Sequence, residues 1–200
     1  MKKLAVLISN AGTGTNLQAI IDAIEAKKLK AKIKVVVSSD KNAYGLVRAK
    51  KHHITTLIIS KRDNLTSLLN NKYKVDYVVL AGWKWIIPDE LIDAFDQRIL
   101  NTHPGLIPDS TDGIVMNPDG TKALWNKGKM TDKAIQNFLD HKASYAGCTA
   151  HFLSKEFDFG QVLGRCFEKV LPDDTIESLY SRLKIKENKN YVEALIELCN

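Results

Sequence analysis

The stretch Leu4-Ala-Val-Leu-Ile-Ser-Asn-Ala-Gly-Thr-Gly-Thr-Asn-Leu-Gln18 carries the pattern on which the fold turns. Leu4 to Ile8 is an unbroken apolar run, the mark of a strand buried on both faces of a sheet. Ser9 to Asn16 is a glycine-containing turn, after which Leu17, Ile20, Ile21 and Ile24 recur at helical spacing. Glycines let the backbone approach a ligand, and free amides at a helix start point at anions, so the turn is a candidate phosphate site. Read more plainly, it is a tight turn. It is not a dinucleotide fingerprint, because Leu17 stands where a third glycine is needed, and it lacks the Gly-Lys-Ser/Thr ending of a Walker loop.

Outward from this unit, strands and helices alternate. Lys32 to Val37 reads as a second strand, Ala43 to Lys51 as a helix, Ile54 to Ile59 as a third strand and Asp63 to Asn71 as a short helix. Val75 to Ala81 is a fourth strand closing on Gly82. This order implies an α/β fold with a doubly wound, mostly parallel sheet and right-handed crossovers. In such sheets ligands gather at the carboxyl ends of the strands. The adjacent His52 and His53 point in different directions, which suits a surface helix end better than a metal site.

That carboxyl edge gives Ile99-Leu-Asn-Thr-His-Pro-Gly-Leu-Ile-Pro108 its interest. Asn101 and His103 flank Thr102, so in extended backbone both side chains lie on one face. A carboxamide beside an imidazole suits an oxygen that becomes negative during a reaction. Pro104 keeps His103 out of helical conformation, and Pro108 stiffens the exit. Trp83-Lys-Trp-Ile-Ile87, at the exit of the fourth strand, offers either a wall for a flat heterocycle or core packing under a helix over Asp89 to Asp96.

From Asp109 to about Gly128 the chain is polar, with a turn signal at Asn117-Pro-Asp-Gly120. Lys122 to Asn126 and Thr131 to His141 are helix candidates. Ala146 to Leu153 and Gln161 to Val170 read as partner strands around a loop containing Asp158-Phe-Gly160. Those three letters match a kinase magnesium motif, but no catalytic-loop His-Arg-Asp accompanies them. Asp173 to Asn200 is mainly helix, opened by an Asp174-Thr-Ile-Glu177 capping-box pattern with Ile176, Leu179 and Leu183 on its buried face.

At 200 residues, 44% hydrophobic and 26% charged, the composition is that of one globular domain over 1–200. No apolar run approaches the roughly 20 residues that cross a bilayer, and Met1-Lys-Lys leads straight into a strand. Cys148, Cys166 and Cys199 are dispersed, as expected of a protein in a reducing cytoplasm. The net charge of +6 comes from scattered lysines with acids nearby, a solvated surface rather than a nucleic-acid stripe. His103, His141 and His151 lack ligand spacing, so no metal is expected.

The chain resembles the phosphoribosylglycinamide formyltransferases of purine synthesis over nearly its whole length. The resemblance is carried by Gly12-Thr-Gly-Thr-Asn-Leu-Gln18, Val78-Val-Leu-Ala-Gly82, Asn101 to Pro108, Thr149-Ala-His-Phe152 and Glu156-Phe-Asp-Phe-Gly160. It implies a Rossmann-like fold with an antiparallel C-terminal strand pair and a final helix. It further implies Asn101, His103 and Asp158 as catalytic, and Gly14, Thr15 and Asn16 as the phosphate site. Lys184 and Glu187 would contact the ribose or glycinamide. Lys84, Trp85, Ile86, Ile87 and Arg62 would contact the folate. Phosphoribosylglycinamide and 10-formyltetrahydrofolate are the implied substrates, for a monomer or homodimer. The chain departs from the family pattern at Asn10 and Ala11 in the first loop, at Trp83 and Trp85, at Phe159 and in the long segment after Pro108.

In the chemistry so implied, Asn101 and a protonated His103 hold the oxyanion, with Asp158 raising the histidine pKa. His151 is expected to be a structural hydrogen-bonder behind His103. Related formyltransferases with another acceptor, a formylfolate hydrolase and a phosphate-binding module without catalysis remain open readings.

Overall fold

The computed structural model describes residues 1–10 and 12–200; Ala11 of the first-loop departure lies outside them. The strands are β1 (Lys2–Ile8), β2 (Ala31–Ser38), β3 (Thr56–Ile58), β4 (Tyr77–Leu80), β5 (Ile99–His103), β6 (Tyr145–Phe152) and β7 (Val162–Lys169). The helices are α1 (Thr15–Glu25), α2 (Tyr44–Lys51), α3 (Leu65–Ser67), α4 (Asp89–Ala94), α5 (Thr131–Asp140) and α6 (Ile176–Cys199). The sheet runs β3-β2-β1-β4-β5-β6-β7, parallel from β3 through β5 and closed by the antiparallel β6–β7 pair. The strand order reverses between β1 and β4, the switch point at which doubly wound sheets bind ligands.

The chain divides into two compact units, Met1–Asn101 with Leu195–Asn200, and Thr102–Ala194. In the first, Leu4 through Leu7 are fully buried between β2 and β4, with Val6 opposite both Val36 and Val79. The apolar face of α1 covers them through Leu17, Ile20 and Ile21. Helix α2 comes close because Gly45 has no side chain: a Cβ there would lie 2.7 Å from Ile8 Cδ1.

The third strand is shorter than the 54–59 expected. It lies at the sheet edge, pairs with β2 alone and leaves Ile58 54% exposed, so only three residues join the ladder. The expected helix over 63–71 begins as α3, with the Asn64 side chain accepting from Ser67 N at 2.7 Å, and continues as a π-helical turn, Leu68–Lys72.

In the second unit, Ile135 and Phe138 of α5, Cys148 and Cys166 of the strand pair, and Leu179 and Leu183 of α6 form one core. Cys148 stands directly opposite Cys166 in the ladder, and burial pushes its thiol pKa well above the usual value. Helix α6 opens on a reciprocal cap one residue later than expected. Thr175 Oγ1 accepts from Ser178 N at 3.1 Å, and Ser178 Oγ accepts from Thr175 N at 2.9 Å. Asp174 is drawn instead to Arg182, 2.6 Å away, which holds its carboxyl well below the usual carboxylate range.

The segment 122–126 is not a helix. Lys122 forms an antiparallel bridge with Met116, and the Leu124 carbonyl accepts from Leu106 N at 3.0 Å. Its backbone is spent on the exit of β5 rather than on itself. The turn at 117–120 is present, closed by Gly120 N donating to the Asn117 carbonyl at 2.9 Å with Gly120 at φ +81°.

Candidate functional site

In the first unit the glycine turn delivers the chain into α1. Gly14 is the N-cap residue at φ 70°, a left-handed conformation that glycine adopts at no steric cost. Among the described residues neither a capping side chain nor an acid in the first turn competes for the helix amides. The start of α1 thus presents N–H groups and the positive end of its dipole, an anion-binding arrangement. Thr15 is half-buried and Asn16 is 4% exposed, so Asn16 reaches a ligand most directly through its backbone.

Across the switch point, Lys84 N donates to Ser9 Oγ at 3.1 Å, tying the β4 exit to the β1 exit. Trp83 to Ile87, with residues 59–61 and 63–66, line a cavity of about 550 Å³. Trp83 and Trp85 meet edge-on with centroids 5.3 Å apart. Among the described residues the Trp83 Nε1–H is buried without a partner, a donor that an acceptor on a bound heterocycle would satisfy. Lys84, Trp85, Ile86 and Ile87 all line this cavity, although Ile86 is 87% exposed. Arg62 does not line this cavity; its neighbours Lys61 and Asp63 do.

Asn101 lies on β5 two residues before His103, the alternation that puts both side chains on one face. In the second unit His103 is 3% exposed and meets Asp158, with Nδ1 3.7 Å from Oδ1. That is ion-pair range but too long for a direct hydrogen bond. His103 Nε2 lies 2.8 Å from the Trp125 carbonyl oxygen. A carbonyl only accepts, so Nε2 carries a proton and Nδ1 is the nitrogen turned to Asp158. Asp158 is held from two sides, by the Trp125 indole N–H on its carbonyl at 3.1 Å and by Gly128 N on Oδ2 at 2.7 Å.

The charge state of His103 differs from expectation. Burial lowers its pKa by more than Asp158 and the Trp125 carbonyl raise it, so the resting ring is neutral. His151, buried behind it, donates from Nδ1 to the Phe152 carbonyl at 2.9 Å. Burial, followed by the His103 charge, lowers its pKa to about 4.

Three residues to which the sequence reading gave no role organise this unit. The Trp125 carbonyl selects the His103 tautomer. Thr149 Oγ1 donates to the Gly105 carbonyl at 2.7 Å and accepts from Ile107 N at 3.0 Å. Arg165 donates twice to the Ile107 carbonyl, at 2.9 and 2.6 Å, and pins the proline segment that follows His103. The one available signal was position: Thr149 and Arg165 face each other on β6 and β7.

Lys184 and Glu187 form an ion pair of 2.7 Å on α6, with Glu187 7% exposed. Burial lowers the Lys184 pKa, but Glu187 and Tyr180 outweigh it and the net shift is upward, so the lysine stays charged. Among the described residues no three His, Cys, Asp or Glu side chains converge on a metal position. Among the same residues no helix is long and apolar enough to cross a membrane.

Comparison with known proteins gives concordant results. The formyl transferase family model matches residues 2–195. The Dictyostelium discoideum protein named phosphoribosylglycinamide formyltransferase is 35% identical over 213 residues, covering 96% of this chain and 95% of that protein. The Haemophilus influenzae protein of the same name is 32% identical, covering 96% of this chain and 84% of its own length. The crystal structure of glycinamide ribonucleotide transformylase 1 from Symbiobacterium toebii superposes with a TM-score of 0.84 at 31% identity, covering 100% of this chain and 88% of that one.

Proposed function

The chain belongs to the formyl transferase family, among its phosphoribosylglycinamide formyltransferases, and from that premise we propose its reaction and the residues that perform it. It transfers the formyl group of 10-formyltetrahydrofolate to the primary amine of 5'-phosphoribosylglycinamide, a step of purine synthesis. The observation that carries the assignment of roles is the buried His103, on the strand that also bears Asn101, with its Nδ1 3.7 Å from Asp158 Oδ1.

The folate supplies an activated formyl carbon. Asn101 donates its amide N–H to the formyl oxygen as negative charge builds there. Neutral His103 accepts at Nδ1, through water, the proton that the amine sheds on attack. Asp158 stabilises the resulting imidazolium. His103 then returns the proton to the departing folate nitrogen as the carbonyl reforms. One proton passes from acceptor to leaving group, and the enzyme ends as it began.

The uncapped start of α1 at Gly14, Thr15 and Asn16 holds the acceptor phosphate, and Lys184 and Glu187 meet its ribose or glycinamide. The Trp83–Ile87 cavity, with its orphaned indole N–H, takes the folate, and the basic segment 61–62 attracts its carboxylates. The family match runs through both compact units, which supports 1–200 as a single functional domain. We assign it small-molecule substrates without nucleic acid, as a monomer or homodimer of the cytoplasm.

A spectrophotometric assay of folate release from a 10-formyl donor, with and without phosphoribosylglycinamide, tests the reading. Acceptor-dependent release is the expected result. Release without acceptor would mean a hydrolase, and no release with both ligands bound would remove the catalytic assignment.

A further inference from the structure

Helix α2 presents Arg48 to the glycine turn. Its Nε–H donates to the Thr13 carbonyl at 2.7 Å, and Nη1 donates to Gln18 Oε1 at 2.9 Å. A Cβ on Gly14 would lie 3.1 Å from Gly45 Cα and 3.6 Å from Arg48 Cδ, so α2 approaches the turn as closely as backbone allows. Gln18 cannot swing away, because its Nε2–H group is held by Asp22 Oδ1 at 2.8 Å and lies 3.3 Å from His52 Nε2. His52 Nδ1 in turn meets Glu25 at 2.7 Å. Among the described residues no carboxylate neutralises Arg48, and its remaining N–H groups make no hydrogen bond.

A trans peptide directs its carbonyl and its N–H to opposite sides. With the Thr13 carbonyl drawn toward Arg48, the Gly14 N–H is turned away from α2, to the side left for a ligand. We propose that Arg48 is the residue that makes this enzyme require a phosphorylated acceptor. It fixes the orientation of the Thr13–Gly14 peptide, so that the Gly14 N–H is held toward the anion. The inference rests on Gly14 to Asn16 being the phosphate site. Arginine suits the task because one planar group makes both bonds, whereas lysine keeps the charge but not the pair.

Steady-state kinetics of the full chain with phosphoribosylglycinamide and with its dephosphorylated riboside test the proposal in wild type, Arg48→Ala and Arg48→Lys. In Arg48→Ala the KM for the phosphorylated acceptor rises about 10- to 100-fold, the range for losing hydrogen bonds at a charged group. Turnover at saturation, the KM for the formyl folate and all constants for the riboside stay within about twofold. Arg48→Lys falls between, and keeps a folded comparison if Arg48→Ala does not fold. An unchanged KM for the phosphorylated acceptor overturns the proposal, and so does an equal rise for the riboside. A wild type that uses the riboside as well as the phosphorylated acceptor overturns the phosphate-site reading itself, a separate and distinguishable failure.

Discussion

Asp158→Asn removes the charge facing His103 while keeping the shape of the side chain. The atoms concerned are 3.7 Å apart, with the histidine 3% and the aspartate 18% exposed. Unit charges at that separation attract by about 4 kcal/mol at an effective dielectric of about 20. Solvent at the carboxylate edge and the new amide dipole recover part of this, leaving a loss of about 3 kcal/mol and a fall in kcat of roughly 10²-fold. The pH profile carries the sharper signature. Burial already lowers the His103 pKa, and Asp158 opposes it. Without Asp158 the pKa falls further. A reaction that needs neutral His103 loses rate as pH drops through that pKa, so the acid limb of kcat/KM moves to lower pH in the variant. Stopped-flow or steady-state rates across the acid range read both effects. An acid limb that stays put or moves upward, or a kcat within about twofold of wild type, would refute the assignment of Asp158 as the counter-charge.

Asn101→Ala should lower kcat by roughly 10²–10³ with little change in substrate KM, the cost of one oxyanion donor; near-wild-type turnover removes Asn101 from the reaction. Gly105→Ala would set a Cβ 1.8 Å from the Trp125 carbonyl oxygen, which must shift and release His103 Nε2. Activity should fall while the sheet persists by circular dichroism, and unchanged activity would deny that carbonyl its role. His151 has a native pKa of about 4 against an ordinary 6.5, so the unfolded chain binds its proton first. Stability present above pH 6.5 is therefore lost as pH falls toward about 4, by about 3 kcal/mol. His151→Asn should flatten the denaturation midpoint across that window, and an unchanged slope would refute the reasoning.

The parts of this molecule that sequence disclosed are those written in side-chain type at regular spacing. The apolar run of β1, the glycine turn and the alternation of Asn101 with His103 all have that character. What it hid lies mostly in backbone atoms. The Trp125 carbonyl has no residue-type signature, and it reaches His103 from 22 positions away. The helix expected over 122–126 failed for the same reason: its carbonyls are used by Leu106 and His103 instead of by the next turn. The capping box moved because Arg182, in the second turn of α6, competes for Asp174. The neutral state of His103 depends on burial, which a motif does not encode.

The cross-strand cysteines of β6 and β7 give the protein a native reporter. Cys148 is fully buried, and its thiol is held far from ionisation. Alkylating reagents attack thiolates, so at neutral pH this sulfur reacts only when the hairpin parts and admits solvent. The rate of its modification, followed by mass spectrometry without any engineered label, therefore measures how often the strand pair beside Asp158 opens. Comparing that rate with and without substrates would give the opening free energy of this hairpin in each state.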